Sequence, residues 1–569
     1  MKTVKLSGKI LLLGVSMLTA FLGTISAQEN TIQRDLLLEK DYNPSVGDAG
    51  KIYQMPTTEP LVFNRTEVSF LTESSPIASE MSRDQYGVAQ PEYYHSAQDQ
   101  TGYFRIGGGN HFHFVGDGQI NLLHDSEKHY LDLNLSHRSE DKPGDALLWD
   151  SDNKLGLSYI WQMDKFRFDA ALSESFYNWH YYGGELPTLV PSVEIPTQWS
   201  SHTAAHVGLQ SKPWEKPYQL GASIDGHYFL LHHNPFVSEN TNRSSESEID
   251  ATAFFSHPIN KRLSVRVDGQ IRSFFQQFPD DSQSSFWFEI TPKAVFFWNG
   301  WRFTGGFHLS DLSKKDSPLR ISPSFSANKL LRNDLDLNID IDGGENVFAF
   351  REGFEQNLYI NPAIKNLRPQ YSPFSFQASA NYHPWEYFSI RPLIGYRSLK
   401  DFGMFYNERL NVLPDESYFA SVPYFSVDYA NIRHFFLGFD CHAQWKEMIM
   451  FASRFQYNAY SNQTPLFNDK RVWNLPKYEW DARIDSRPLD KLHAAVLFHW
   501  AGARYAFTSE NPFSRMKDIC DLGAEVSYQI LPKYGVFIQG NNLLDRHYEI
   551  WNDYSVNGIT VVAGARISF

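Results

Sequence analysis

The final stretch of the chain reads Ile559-Thr560-Val561-Val562-Ala563-Gly564-Ala565-Arg566-Ile567-Ser568-Phe569. Ile559, Val561, Ala563, Ala565, Ile567 and Phe569 are apolar, and Thr560, Gly564, Arg566 and Ser568 stand between them. Successive side chains of an extended strand point to opposite faces, so this segment is a strand with one greasy and one mostly polar face. The alternation recurs in Leu131, Leu133 and Leu135 against Asp132, Asn134 and Ser136. It appears again in Leu263, Val265, Val267 and Ile271 against Ser264, Arg266, Asp268, Gln270 and Arg272. A fourth case sets Leu335, Leu337, Ile339 and Ile341 against Asp334, Asp336, Asn338, Asp340 and Asp342. A period of two held over this length predicts an all-β chain.

Composition narrows the kind of β protein. The 569 residues are 42% hydrophobic, 15% aromatic and 20% charged, with 44 Phe, 30 Tyr and 14 Trp, which excludes a disordered or collagenous chain. Mean hydropathy is −0.41, and beyond residue 27 no apolar run reaches the roughly 18 residues that a spanning helix needs. Membrane strands alternate and so average out as polar, which leaves a transmembrane barrel open. Residues 1–27 carry Lys2, Lys5 and Lys9, an apolar stretch from Ile10 to Leu22 and small residues up to Ala27, the pattern of an export signal cleaved after Ala27. Without that segment 48 Lys and Arg face 65 Asp and Glu, a net charge of −17 that argues against nucleic acid as a partner. Cys441 and Cys520 are far apart and have no ligand spacing around them, so two isolated thiols are expected.

The turns separate a barrel from a sandwich. Tight connections fall at 125–128, 164–165, 213–215, 258–260, 299–300, 332–333, 384–386, 446–447, 488–490 and 532–533. They recur about every 45 residues, room for two membrane strands and one longer loop. Longer polar stretches lie between them, at 138–153, 178–198, 234–247, 343–370 and 461–472. Ten short turns on one rim with both chain ends on the same side predict 22 strands. Phe296, Phe297, Trp298 and Trp301, and again Tyr382, Trp385, Tyr387 and Phe388, sit beside two of the short turns, as an interfacial girdle requires. Barrels of Gram-negative outer membranes typically close with a strand ending in an aromatic that the insertion machinery reads, here Ala565, Ile567 and Phe569.

Gly540-Asn541-Asn542-Leu543-Leu544-Asp545-Arg546-His547-Tyr548, followed by the closing strand, resembles the C-terminal signature of TonB-dependent receptors. Glu39–Ser45, Asp48–Ile52 and Gly102–Asn110 resemble the mature N-terminus and first strand of a TonB-receptor-like barrel family. The resemblance implies a 22-strand outer-membrane transporter. Transporters of that family place a globular plug of well over ~100 residues before the first strand. Only the 74 residues from 28 to 101 are available here. The chain therefore resembles a plug-less member: an export signal 1–27, an extended periplasmic segment 28–101 able to occlude the lumen in part, and a barrel 102–569. A cylinder this wide needs an obstruction, from the leader, from long loops or from a separate protein.

Candidate sites are few. Asp334, Asp336, Asn338, Asp340 and Asp342 share one strand face, where same-face neighbours stand about 6.5–7 Å apart, so one cation could bridge only two of them. A calcium loop started at Asn338 would need Glu at its twelfth position, which is Ala349. An acidic, water-facing wall is the expectation, with Arg266 and Arg272 as further lumen-facing charges. Among the 20 His, His111 and His113 are read onto one strand face, and His202 and His206 would stand about 13 Å apart, too far for one zinc. No HExxH, GxSxG, P-loop or GxGxxG stands in a supporting context, so neither an enzyme, nor a metal, nor a cofactor is expected. The resemblance points to solute transport across the outer membrane. A structural barrel that anchors a periplasmic or surface lipoprotein complex is the alternative.

Overall fold

In a computed structural model, residues 101–569 are described apart from positions 124–125, 127, 143–147, 184–195, 213–217, 234–241, 313–318, 348, 363, 365–366, 412–420, 447, 465–469 and 509–510. The export signal 1–27 and nearly all of the leader 28–101 lie outside the described residues. Twenty-two strands, from Gly102–Gly109 to Thr560–Ser568, form one antiparallel sheet in which each barrel strand pairs with the next. The first strand also pairs with the last, from Tyr103 opposite Ser568 to Gly109 opposite Val562. Gly102 N donates to Phe569 O and Phe569 N to Gly102 O, each at 3.0 Å. The sheet is thus a closed barrel without an edge, and every strand finds its backbone partners inside the wall.

The turns read at 164–165, 258–260, 299–300, 332–333, 384–386, 488–490 and 532–533 fall on the rim that holds Thr101 and Phe569, whereas 213–215 and parts of 125–128 and 446–447 lie outside the described residues. The other rim carries the long connections, together with two tight ones at 110–113 and 279–280. His111 and His113 sit in the first of these, with His111 and Phe112 at positive φ, and so do not share a strand face. Several stretches read as loops are partly strand: 138–153 is strand to Asp141 and strand again from Trp149. Polar residues there still pair in the ladder, because the wall rises past the apolar belt. Phe388–Asn411 and Ser421–Trp445, of 24 and 25 residues, go furthest, against the roughly 9–11 residues that cross a bilayer.

The outer face carries an apolar belt, with Leu155, Leu172, Ile224, Ile249, Ile271 and Ile538 all exposed. A closed barrel with this exterior is a transmembrane barrel of the outer-membrane type. Phe296, Phe297, Trp298, Trp385 and Tyr387 are exposed beside the short turns, as the girdle reading expected, and Trp445 adds to them. On the closing strand Ala563, Ala565, Ile567 and Phe569 are exposed, while Val562 is buried with Val115 and Phe537 on the inner side. Cys441 and Cys520 are free and partly buried.

Candidate functional site

The described part of segment 347–369 turns inward from the long-loop rim. A seven-residue helix, Phe350–Gln356, begins it. Phe350 packs against Phe229 and Phe278, and Phe354 against Trp179 and Phe229. Further along, Tyr359 O accepts from Phe425 N at 2.9 Å and Asn361 N donates to Phe425 O at 2.8 Å. These partners belong to strands widely separated around the ring, so the segment crosses the lumen instead of lying on the rim.

A second loop meets it there. Tyr554, on the loop before the closing strand, stacks on Tyr359 with ring centres 3.5 Å apart, and its hydroxyl donates to Pro423 O at 2.7 Å. Tyr182 Oη donates to Ser555 O at 2.8 Å. Together these groups build a buried aromatic cluster that also holds Tyr181, Phe405, Tyr424 and Trp551. Burial holds the Tyr554 and Tyr181 phenols well above their ordinary pKa, so both remain neutral.

The turn into this second loop follows from its sequence. Asn542 and Asp545 adopt positive φ, which short polar side chains tolerate by bonding to nearby backbone. Asn542 Oδ1 accepts from Arg546 N at 3.0 Å while its Nδ2 donates to Arg546 O and Asn557 O. Tyr548 Oη then donates to Asp521 at 2.7 Å. The stretch that resembles a receptor signature therefore folds a loop back toward the lumen.

Charge fixes the helix to the wall. Glu246 accepts from Phe350 N at 2.8 Å and from Arg351 N at 3.2 Å, which satisfies two amides that a helix start leaves open. Glu248, 2% exposed, bonds Arg272 at 2.5 Å and Arg351 at 3.0 Å. Arg272 also reaches Glu352 at 2.7 Å and Val347 O at 3.2 Å, and Arg351 reaches Glu355 at 3.1 Å. Burial alone would lower the Arg351 pKa, but Glu355 and Glu248 outweigh it and hold the guanidinium above its ordinary value. Removing one partner from such a buried network costs about 3–5 kcal/mol, because the other charge is left uncompensated.

Elsewhere on the inner wall, charge pairs tie strands that are neighbours or one strand apart. His206 sits between Asp169 at 2.7 Å and Asp225 at 2.6 Å, and His308 between Glu289 and Asp342, both at 2.9 Å. Two cavities open beside the latch. One of about 480 Å³ is bounded by Arg138, Lys154, Glu355, Tyr359, Trp551 and Asp521 among others. The second, of about 310 Å³, includes Arg272, His308, Asp342 and Arg397.

Of the residues singled out in the sequence, Arg272 and Asp342 meet at that second cavity. Asp336, Asn338 and Asp340 share the strand face of Asp342, with Asn338 bonded to Asn328 at 2.8 Å. Asp334 does not: it falls in the short turn, ion-paired with Arg332 at 3.1 Å, because the strand starts at Leu335. Arg266 pairs with Asp268 at 2.6 Å and lies over the Phe254 ring. Among the described residues no cluster of three or more His, Cys, Asp or Glu is arranged to hold a metal. Glu246, Glu248, Arg351, Glu352 and Glu355 were not read from the sequence. The signal available was Phe350 and Phe354 at helical spacing with acidic residues around them.

This fold is known. The chain superposes on the FrpB iron transporter of Neisseria meningitidis (F3-3 variant) with a TM-score of 0.65, 9% identity, and 83% and 82% of the two chains covered. The siderophore receptor PirA of Acinetobacter baumannii gives 0.62 at 11% identity over 82% and 80%. The copper transporter OprC gives 0.60 at 10% over 82% and 80%. At such identities the likeness shows the fold alone, a closed 22-strand transmembrane barrel. No protein-family model and no curated protein sequence matches the chain.

Proposed function

We propose that the chain transports a solute across the outer membrane through its lumen, and that the segment 347–369 gates the long-loop mouth of that path. The observation that carries this reading is the charged latch, in which Glu246, Glu248 and Arg272 of the wall hold a loop that crosses the lumen. Aromatic packing of Phe350, Phe354 and Tyr359 also holds the loop, and to it the ion-pair network adds contacts that have a second, separated state that water can stabilise. The likeness to transport receptors supports the same reading. Asp336, Asn338, Asp340 and Asp342, with Arg266 and Arg272, form the water-facing wall of the path. We assign residues 28–101 to the periplasmic side as a partial obstruction of the lumen, a reading that the joining of Thr101 to the barrel at the short-turn rim supports. Residues 1–27 are assigned to a cleaved export signal, and the closing aromatic Phe569, with Ala565 and Ile567, to recognition by insertion machinery.

The test is ion conductance in planar bilayers. A Glu248→Gln, Arg351→Ala double variant is expected to conduct several-fold more than the parent. Current that appears only when residues 28–101 are deleted assigns closure to the leader instead of the loop. Silence in every form favours the anchoring barrel.

A further inference from the structure

Three cations stand at one height on the outside of the barrel. On strand Ser421–Trp445 the residues Asn431, Arg433, Phe435, Leu437 and Phe439 are exposed and those between them buried, so Arg433 shares the lipid-facing side with three apolar neighbours. On the strand before it Ile394 is exposed, and Lys400, at even spacing from it, is exposed as well. Ser398 faces Arg433 in the register, which makes Lys400 and Arg433 diagonal neighbours about 7–8 Å apart at the backbone. Lys477 leads into strand Tyr478–Leu489, and its ammonium lies 5.6 Å from the ring centres of both Tyr457 and Tyr478. Tyr457 stands opposite the exposed Leu437, so Lys477 too lies on the outer side.

Their height follows from the strands that carry them. Phe388, Trp445 and Leu489 end these three strands at the short-turn rim, where Trp445 and Leu489 are 70% and 62% exposed. Lys400, Arg433 and Lys477 each stand twelve positions from that end. A tilted strand crosses the hydrocarbon in roughly 9–11 residues, so all three cations emerge just beyond it, at the headgroup level on the long-loop side. Among the described residues none of the three forms an ion pair; Lys400 and Lys477 meet only aromatic rings. Asp401, the carboxylate next to Lys400, is engaged by Arg320 at 4.0 Å and Arg368 at 3.9 Å. The chain as a whole is acidic, with 65 Asp and Glu against 51 Lys and Arg, so this is a local excess of positive charge and not a general property of the surface.

We propose that this outer face binds a phosphate-bearing lipid of the outer leaflet, its phosphate between Lys400 and Arg433 and its acyl chain along Ile394, Phe435 and Leu437. Lys477, two strands beyond Arg433, meets the neighbouring headgroup. Phosphate oxygens accept charge-assisted hydrogen bonds from both cations at once, and the apolar strip below them covers the chain. A free ion gains only the first of these contacts, so the pairing of cations with an apolar strip selects a lipid. The site lies on the outside of the barrel and depends neither on transport through the lumen nor on the gate.

The test is native mass spectrometry of the delipidated, full-length mature chain in detergent, titrated with diphosphoryl lipid A and with the same lipid stripped of its phosphates. The phosphorylated lipid is expected to form its adduct at about tenfold lower concentration. A Lys400→Met, Arg433→Met double variant should bring the two lipids to the same affinity, and Lys400→Arg should keep the parent preference. Lys329→Met, which removes a lysine beside Trp301 at the short-turn rim, should change nothing. Circular dichroism checks that each variant retains the barrel. Equal affinity of the two lipids for the parent chain, or a preference that survives the double variant, overturns the proposal. Displacement of the lipid by inorganic phosphate at equal concentration overturns it as well, because the site would then belong to a free ion.

Discussion

Arg504 is fully buried, and its guanidinium donates to Glu549 O at 2.6 Å, Ile550 O at 2.9 Å and Lys517 O at 3.3 Å. It thereby ties the loop 503–518 to the loop that carries Trp551 and Tyr554. Truncation leaves buried carbonyls without donors, so Arg504→Ala is expected to cost about 3 kcal/mol in urea unfolding and to open both loops to protease. An unchanged midpoint and digestion pattern would count against this role. Nothing in the sequence around Arg504 announced it, because its partners are backbone atoms, two of them 45 and 46 residues away in the chain and the third 13. Gly564 is a similar case. Period two placed it on the mostly polar face, yet a Cβ there would stand 2.1 Å from Ile106 O and 2.7 Å from Phe537, so it is the close approach at the barrel seam that requires glycine. Alternation assigns a residue to a face but does not say what waits on that face. For the same reason the acidic ladder was legible from Asp336 to Asp342, while Asp334 was lost to the turn.

Among elements, the strands were legible and the helix was not. Strand faces differ in hydrophobicity because lipid and water select them independently, and that contrast survives in composition. Strand ends were read short wherever the wall rises past the apolar belt, as at Asp141 and Trp149, since polar residues there keep the ladder without keeping the alternation. The helix Phe350–Gln356 has seven residues, too few for a helical period to stand out, and its stability comes from tertiary contacts. Its start depends on a wall carboxylate, since Ala349 at the N-cap supplies no side-chain bond. Glu246→Ala is therefore expected to cost about 1–2 kcal/mol locally, seen as faster amide exchange across 349–360, while exchange in the barrel strands stays slow. Uniformly faster exchange throughout the barrel would contradict a local role.

At the scale of the whole molecule, the strand number followed from counting turns, because a barrel repeats one strand pair per turn and one rim keeps those turns short. What occupies the lumen could not be counted in this way. Wall and loop meet through Glu248 with Arg351, and loop and loop through Tyr359 with Tyr554, pairs more than 100 residues apart whose partnership exists only after the sheet has closed. The central claim is that the barrel's own loop shuts the long-loop mouth. Its most direct test is the single-channel current of a chain in which residues 349–360 are replaced by a short Gly-Ser linker, recorded with and without residues 28–101. The account predicts a large, steady current once both segments are gone and a marked rise on removing the loop alone. A current that stays at the level of the parent after the loop is removed, in both backgrounds, would contradict it.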